Sequence, residues 1–498
     1  MNRQIARLGV LGLVLIVALI AGTTYWQTWA AGGLADKQDN AIQRVAQFKI
    51  KRGLIYASDG KTVLASDRKK KVGGQTLWFR TYPTHGLAAH VVGYSTVERS
   101  RTGVERSFND YLTASNGNLN TAFRTTLDKL KGVTVTGNNV VLSIQVKAQQ
   151  VAESALRGQC GAVVALDPRT GAVLAMASSP SYDPNLMETA KGFKRAQRSP
   201  GYKCGAPLLD RATQGLYPPG STFKTVTATA ALDTGAFRPD SVFTDPGYCT
   251  EYGKKVFNAG NPDQNGPETY GQLTLAEGFE HSVNSVYCNI GKRIGAGVIL
   301  EYTKRFGFYA DPPVNLPPEE LSPSGLYFHD KLWYPKDPAT EVDPGRLAFG
   351  QERMLVTPLQ MAQVAASVAN GGVEMRPYVV SKITSPTGAT VLTTKPEVQN
   401  KVMKPQTAAE LNQMMQLVTT GGTAAAAFRG IGIPVAGKTG TAETGLNNVY
   451  IPWFICFAPA DHPRVAVAVV VENKYRGFGG GVAAPIARQM LQAILGAH

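Results

Sequence analysis

The sequence predicts an α/β-type protein of mixed strands and helices, in which a large C-terminal domain follows a small strand-rich module and an apolar N-terminal helix. Three observations support this prediction. The chain has 498 residues, which is too long for one ordinary domain. One long apolar run stands near the N-terminus. Short strands separated by turns occupy the chain up to about Gly137, and strands mixed with helices follow, so we place a domain boundary there.

The N-terminal apolar run predicts a membrane anchor over residues 8–26. Two arginines precede a stretch that is apolar from Leu8 to Gly22, and a Tyr/Trp cluster follows it. At ~1.5 Å per helical residue, the stretch can cross the hydrocarbon core of a bilayer. Basic residues on the short side predict a cytoplasmic tail over residues 1–7, with the rest of the chain outside the membrane. A signal peptide cleaved near Ala30 is the alternative, although an aromatic cluster is a poor end for one.

After the anchor, residues 27–137 begin with a polar stalk over 30–50 and continue as short strands, including a hairpin around Asp59 and Gly60. Residues 138–498 form the large domain. Its patterns predict, in order, a strand and an amphipathic helix through Leu156, a strand hairpin over 163–176, a mostly helical segment over 221–300, a Pro-rich segment over 311–345, a helix closed by Asn370 and Gly371, and a final strand–strand–helix unit.

The net charge of +15 predicts attraction to an anionic partner. Nucleic acid is the least favoured partner, because the chain has neither zinc-finger spacing nor a basic helix with aromatic residues. The densest basic run, Arg68 to Lys71, is typical of a solvated turn. The five cysteines show no CxxC pairing, so we expect no metal site, and no cofactor is implied.

The strongest chemical signal is the segment YPPGSTFKTVTATAAL. Pro218 to Gly220 stop the preceding segment, and Ser221 then opens a helix with Lys224 on the same face one turn later. A serine hydroxyl becomes a good nucleophile when a base takes its proton, and a buried lysine beside a second cation can be neutral enough to do so. By itself the Ser-x-x-Lys pattern is weak, since a capping serine and a surface lysine give the same spacing.

Two further segments support this interpretation. KTGTA, from Lys438 to Ala442, follows an apolar stretch and is typical of a strand, where Gly440 allows close approach of a ligand backbone. HSVNS places Ser282 and Asn284 on either side of Val283 at a helix boundary. Each segment alone is ambiguous. Ser-x-x-Lys, Ser-x-Asn and Lys-Thr-Gly in this order match the motif set of penicillin-binding proteins and class A β-lactamases.

Over nearly its whole length the chain resembles the class B penicillin-binding proteins, and most closely their short actinobacterial members. The segments that carry the resemblance are GAVVALDPRTGAVLAMASSPSYDPN, YPPGSTFK, VTPLQMAQVAASVANGG, GKTGTAE and GGVAAPIARQML, together with RGLIYASDG and TGVERSFNDYL in the N-terminal module. The resemblance implies a serine β-lactamase/transpeptidase-like domain, with an antiparallel sheet flanked by helices and an all-helical lobe. It also implies that the N-terminal module is a non-catalytic, pedestal or dimerisation-like unit.

The resemblance further implies the activity of a peptidoglycan D,D-transpeptidase that β-lactams acylate. Ser221 would attack the penultimate D-Ala carbonyl of a stem peptide, with Lys224 as the base. Ser282 would shuttle a proton, Asn284 would hold the substrate amide, and Lys438 would stabilise negative charge and orient Ser282.

Thr439 and Thr441 would bind the terminal carboxylate, and the backbone N–H groups of Ser221 and Thr441 would form the oxyanion hole.

The implied partners are peptidoglycan stem peptides, nascent glycan strands, β-lactams, the membrane and a SEDS-family glycan polymerase. The polymerase follows from the absence of a glycosyltransferase-sized segment ahead of the transpeptidase part.

Three positions depart from the family pattern: Val283 inside the second motif, Glu352 where relatives usually carry Gly, and Cys456 where they carry a small residue. A serine β-lactamase is an alternative function, but no deacylating glutamate stands out between Asn284 and Lys438. A β-lactam sensor lacks support because the chain shows no further membrane helices. A catalytically silent cell-wall scaffold remains open.

The cysteines predict one disulfide and one free thiol. Cys249 and Cys288 both belong to the segment beside the expected cleft, and in an exported domain they can oxidise. Cys160 and Cys204 are available for a second bond, although their local contexts give no shared location. Cys456 lies in an apolar strand pattern and should stay reduced.

Overall fold

The structure is a computed structural model that describes residues 2–28, 48–115, 126, 134–259 and 267–496. Most of the stalk expected over 30–50 lies outside these residues. Asn2–Thr28 is one helix, and its apolar side chains from Val10 to Ile20 are more than half exposed. Among the described residues, no helix reaches the combined length and apolarity needed to cross a membrane. The membrane anchor over residues 8–26 therefore stays a prediction from the sequence.

The large domain is built on an antiparallel central sheet. Its strands lie in the order Ala436–Glu443, Val449–Ala458, Val465–Val471, Gly161–Leu166 and Val173–Ser179. All seven residues of Val465–Val471 are buried, which requires cover on both faces of the sheet. The helices in contact with the sheet include Val146–Ala155, Pro358–Ala369, Pro405–Thr420 and Gly479–Leu495. This arrangement confirms the expected α/β fold with a helix-flanked antiparallel sheet.

A second sheet crosses the boundary that the sequence suggests near Gly137. Ile55–Tyr56 pairs in parallel with Asn139–Leu142, which in turn pairs with Val380–Thr384. The complete order is Thr390–Thr393, Val380–Thr384, Asn139–Leu142, Ile55–Tyr56, Val63–Val72 and Gln75–Thr81. The N-terminal module is thus completed by strands from the large domain. Pairing between segments about 240 residues apart leaves no local pattern in the sequence, because each strand shows only its own alternation.

A helical lobe lies beside the central sheet, but it is not all-helical as the resemblance implies, because four short strands lie among its helices. Its helices are Lys224–Asp233, Leu275–Glu280, Asn284–Ile294, Ala296–Arg305, Pro338–Glu341, Pro344–Ala348 and Pro405–Thr420. The prediction that 221–300 is mostly helical is only partly right. Four strands interrupt it in two small antiparallel sheets: Val242–Asp245 with Gly271–Thr274, and Tyr248–Glu251 with Lys254–Phe257. Each strand has only four residues, too few to show a clear period in the sequence.

The remaining elements are short. The strands are Ser95–Thr96, Ser100–Arg101, Gly325–Phe328, Lys331–Leu332, Met354–Leu355, Val373–Met375, Val398–Lys401 and Lys474–Tyr475. The helices are Ala89–Val92, Gly103–Ser107, Asn109–Leu112, Ala190–Ala196 and Ala425–Phe428, with 3-10 turns at Pro184–Leu186, Gly220–Phe223 and Pro318–Glu320.

The cysteines form two disulfides. Cys249 is bonded to Cys288, with 6.3 Å between their Cα atoms, and Cys160 is bonded to Cys204, with 6.2 Å. Both separations are in the range that a disulfide requires. Cys456 is a buried free thiol. The first bond ties the hairpin Tyr248–Phe257 to the helix Asn284–Ile294.

Candidate active site

The three sequence motifs meet where the edge strand of the central sheet faces the helical lobe. Ser221 lies in the 3-10 turn Gly220–Phe223, and the α-helix Lys224–Asp233 begins directly after it. The sequence predicts a serine at the helix start, and the structure places it in a tighter turn just ahead of the α-helix. Every residue of Lys224–Asp233 is buried, whereas Ser221 itself is partly exposed.

Two glycines bring the turn against the edge strand. A side chain at Gly220, where φ is +51°, would lie 3.0 Å from the carbonyl oxygen of Thr441. A Cβ at Gly440 would meet the Pro219 carbonyl oxygen at 2.9 Å. The sequence suggests that Gly440 makes room for a ligand, but in the structure its bare Cα also makes room for the turn that carries Ser221. This close approach packs the turn that carries Ser221 against the strand that carries Thr441.

Lys224 connects the first motif to the second. Its Nζ donates to the Ser282 carbonyl oxygen at 2.6 Å and to Asn284 Oδ1 at 2.8 Å, and it lies 3.3 Å from Ser282 Oγ. The Lys224 side chain is fully buried, as is that of Lys438. The buried lysine thus contacts both polar residues of the Ser-x-Asn motif.

The environment favours neutral amines. Burial holds the pKa of Lys224 well below its usual value, and the positive charge of Lys438 lowers it further. Burial lowers the pKa of Lys438 to about 7. A neutral lysine amine has two N–H donors and one lone pair. If the donors go to the Ser282 carbonyl and Asn284 Oδ1, the lone pair is left to accept a proton from a serine hydroxyl.

Ser282 has an unusual backbone conformation. Its φ of +60° lies in the left-handed region, which residues other than Gly rarely adopt, and only Val283 separates it from the helix Asn284–Ile294. This conformation accompanies the contact of both its carbonyl oxygen and its hydroxyl with Lys224. Val283 is buried, so only the flanking Ser282 and Asn284 face the lysine. The departure from the family pattern at Val283 therefore leaves these contacts intact.

Residues outside the motifs hold Asn284 in place. Its Nδ2 donates to the carbonyl oxygen of Phe257 at 3.0 Å. The next backbone N–H, of Ser285, donates to Asn258 Oδ1 at 3.0 Å, and Ser285 Oγ donates to Asp245 at 2.5 Å. Asn258 Nδ2 also donates to both carboxylate oxygens of Asp245.

Asp245 and Asn258 thus cap the first turn of the Asn284 helix from a distant part of the chain. Both side chains are buried. Sequence reasoning missed these two residues. The available signal was the Asp-Pro-Gly turn at 245–247, which marks a turn but does not reveal which helix it meets.

The third motif lines the other side of the cleft. Lys438 Nζ donates to the Thr439 carbonyl oxygen at 3.2 Å, whereas Lys224 is the lysine in contact with Ser282. The Thr439 hydroxyl is hydrogen-bonded to that of Thr423 at 2.6 Å, another residue that the motifs do not indicate. Thr441 Oγ1 accepts from the backbone N–H of Gly479 at 3.2 Å.

Among the described residues, two groupings elsewhere have the residue types of a metal site: Cys249 and Cys288 with Glu251, and Cys160 and Cys204 with Glu472. In both groups the cysteines are disulfide-bonded, so neither offers the thiolate that a metal requires. Glu472 accepts instead from Arg211 and from the Tyr217 hydroxyl. The unusual Glu352 is paired with its neighbour Arg353.

Comparison with known proteins places this geometry in a family. Residues 161–492 match the family model of the penicillin binding protein transpeptidase domain, and residues 52–140 match the penicillin binding protein A dimerisation domain. The chain is 36% identical to the peptidoglycan D,D-transpeptidase PbpA of Mycolicibacterium smegmatis, over 99% of each chain. It is 34% identical to PbpA of Mycobacterium tuberculosis, again over 99% of each.

Solved structures agree with the sequence relatives. The ceftriaxone acyl-enzyme complex of penicillin-binding protein A from M. tuberculosis matches with a TM-score of 0.77 and 33% identity, covering 91% of this chain and 100% of that one. Penicillin-binding protein 2 of Pseudomonas aeruginosa matches with a TM-score of 0.71 and 30% identity, covering 89% and 96%. The motifs, the fold and these relatives together establish that the chain belongs to the family of penicillin-binding protein transpeptidases.

Proposed function

We propose that the protein is a peptidoglycan D,D-transpeptidase that works through an ester on Ser221. The observation that carries the proposal is the buried Lys224, whose amine contacts Ser282 and Asn284 one helical turn from the serine. The related M. tuberculosis protein has been solved as acyl-enzymes with ceftriaxone and imipenem, which supports the same covalent chemistry here.

In the first step Ser221 Oγ attacks the carbonyl carbon of the penultimate D-Ala, and Lys224 takes the hydroxyl proton. The negative charge on the carbonyl oxygen is stabilised by the backbone N–H groups of Ser221 and Thr441. The close approach of Gly220 to Thr441 supports this assignment. The peptide bond then breaks. Ser282, in contact with Lys224, delivers the proton to the leaving amine of the terminal D-Ala.

In the second step the amine of a neighbouring stem peptide attacks the ester, gives up its proton through the same groups and releases Ser221. Asn284 holds the substrate amide, and Lys438, Thr439, Gly440 and Thr441 form the wall that receives the terminal carboxylate. A β-lactam opens its ring amide at Ser221, but its leaving group stays attached, so the ester persists.

We also propose that residues 8–26 anchor the protein, with the large domain outside the membrane and residues 27–137 as a non-catalytic support. The support for the anchor is the set of exposed apolar side chains on Asn2–Thr28. A glycan polymerase of the SEDS family would supply the strands. If the full-length protein does not co-purify with such a polymerase at any detergent concentration, the polymerase is not its partner.

The covalent assignment predicts that penicillin adds its full mass once to the purified protein and that Ser221→Ala abolishes the addition. The reason is that the ester oxygen is Ser221 Oγ. Intact-mass spectrometry and peptide mapping measure this directly. Ser66→Ala is the matched control, since Ser66 begins a second Ser-x-x-Lys pattern, in a strand of the N-terminal sheet, and should label normally. An adduct that survives in Ser221→Ala would contradict the assignment.

The paired lysines predict a shift in the pH dependence of acylation. Acylation should slow as the pH falls and Lys224 becomes protonated, because an ammonium group cannot accept the serine proton. Lys438→Ala removes a neighbouring positive charge, so the pKa of Lys224 should rise and the acidic limb should move to higher pH. The measurement is the second-order rate constant for penicillin acylation against pH.

Lys438→Arg is the control, because it keeps the charge and should leave the acidic limb at or below its original position. If Lys438→Ala leaves the limb unmoved or moves it to lower pH, the electrostatic coupling is wrong.

The capping contacts predict that Asn258 acts on catalysis through Asn284. Asn258→Ala should slow penicillin acylation about three- to tenfold, the effect of one hydrogen bond, and Asn284→Ala should slow it more. The double variant should be no slower than Asn284→Ala alone, since the effect of the cap passes through that side chain. Acylation rates of the four proteins test this non-additivity.

Asn400→Ala is the matched control, because Asn400 also donates to a carboxylate, that of Glu374, in a different part of the domain. It should acylate at the wild-type rate. Additive losses in the double variant would mean that Asn258 acts by another route.

The anchor predicts that the full-length protein stays with membranes after carbonate extraction, whereas a chain starting at residue 48 is released. The physical reason is the apolar surface of residues 8–26, which carbonate does not displace from lipid. Immunoblotting of the two fractions measures the result. Release of the full-length protein into the supernatant would exclude a spanning anchor.

A further inference from the structure

The hairpin Tyr248–Phe257, here called the rim hairpin, has two different faces. Directly opposed residues share a face, so the register puts Cys249 with Val256 and Tyr248 with Phe257. Cys249 and Glu251 are buried against the helix Asn284–Ile294. Tyr248, Thr250, Lys255 and Phe257 occupy the other face. The rim hairpin therefore has an inner, structural face and an outer face that meets solvent.

The inner face fixes the rim hairpin firmly. The disulfide from Cys249 to Cys288 and a hydrogen bond of 2.7 Å from Lys292 Nζ to the Thr250 carbonyl oxygen join it to the helix. Lys292 also pairs with Glu251 at 3.3 Å. A two-stranded hairpin is marginally stable by itself, so these links are what hold the outer face in a defined position.

The outer face presents aromatic rings and a cation in mutual contact. Phe257 is 51% exposed, and its ring centroid is 6.1 Å from that of Tyr248. Lys255 Nζ lies 3.9 Å from the centroid of the Tyr248 ring. Tyr252, in the turn, is 76% exposed. Single exposed apolar residues are ordinary on protein surfaces, but a contiguous aromatic and basic group on a rigid support is a common feature of binding sites.

This outer face begins at the catalytic cleft. The backbone carbonyl of Phe257 accepts the hydrogen bond from Asn284 Nδ2. Phe257, and with it the rim hairpin, is therefore adjacent to Asn284, the residue proposed to hold the substrate amide. The surface is continuous with the site rather than a remote patch.

From this geometry we infer that the outer face of the rim hairpin is a subsite for the peptidoglycan strand, beyond the terminal dipeptide that reacts with Ser221. The inference rests on the proposed function and names a further part of its substrate. Stem peptides carry free carboxylates, which complement the exposed Lys255 of the outer face. The sugar rings of the glycan expose C–H faces that pack well on the rings of Tyr248 and Phe257.

The test compares substrates with and without these features, using the full-length enzyme. The variants are Tyr248→Ala, Tyr252→Ala and Lys255→Glu, and Phe257 is left intact because its carbonyl holds Asn284. For uncross-linked peptidoglycan strands, each should raise KM about three- to tenfold, the size expected for losing one aromatic or charged contact. For a sugar-free stem-peptide fragment that ends in D-Ala-D-Ala and lacks other carboxylates, KM should stay within about twofold, as should penicillin acylation.

Salt provides a second readout. Added NaCl should shrink the difference in KM between Lys255→Glu and the wild type but not that between Tyr248→Ala and the wild type, because ions screen charge and not ring contacts. Phe79→Ala is the matched control. Its ring also lies under a lysine, Lys70, on a hairpin of the N-terminal sheet, and its loss should leave KM for strands unchanged.

Two results would overturn the inference. One is an unchanged KM for strands in all three variants, which would show that the outer face does not contact the strand. The other is a parallel loss of penicillin acylation, which would show that these side chains only support the cleft. Failure of the proposed function would look different, since the wild-type enzyme itself would then not be acylated at Ser221.

Discussion

The removal of two lysine side chains from water is the constraint around which this site is organised. Lys224 and Lys438 are both fully buried, and burial disfavours their charged forms. A buried amine still needs hydrogen-bond acceptors for its N–H groups. Lys224 finds them in the Ser282 carbonyl and the Asn284 side chain, so its position is determined by a segment 58 to 60 residues further along the chain.

The structure around the two lysines holds these hydrogen-bond acceptors in place. Ser282 adopts a left-handed conformation, which directs its carbonyl to Lys224, and the helix that begins at Asn284 is capped by Asp245 and Asn258. The Cys249–Cys288 disulfide holds the adjacent hairpin on the same helix. A conformation that is unfavourable for Ser282 by itself persists because these contacts over-determine it. The same contacts give the rim hairpin its fixed place beside the cleft.

Much of the fold could be predicted because local patterns carry it. Alternating apolar residues indicate the strands Gly161–Leu166 and Val173–Ser179, and the helix Pro358–Ala369 follows from its periodicity and its end at Asn370 and Gly371. The predictions failed where strands were short or partners were distant. The prediction that 221–300 is mostly helical does not include the four short strands within 242–274, and the strand Val380–Thr384 joins a sheet with strands of the N-terminal module.

The sequence by itself determined the chemical groups: the serine, the two lysines, the Ser-x-Asn pair and the Lys-Thr-Gly strand, each in a recognisable local context. Only the tertiary structure decided which lysine contacts Ser282, which distant residues cap the Asn284 helix, and how closely the Ser221 turn approaches the strand at Gly440. The physical reason is range. Motif spacing reports neighbours within a turn or two of chain, whereas burial, pKa and hydrogen-bond partners depend on segments that meet only when the core is packed.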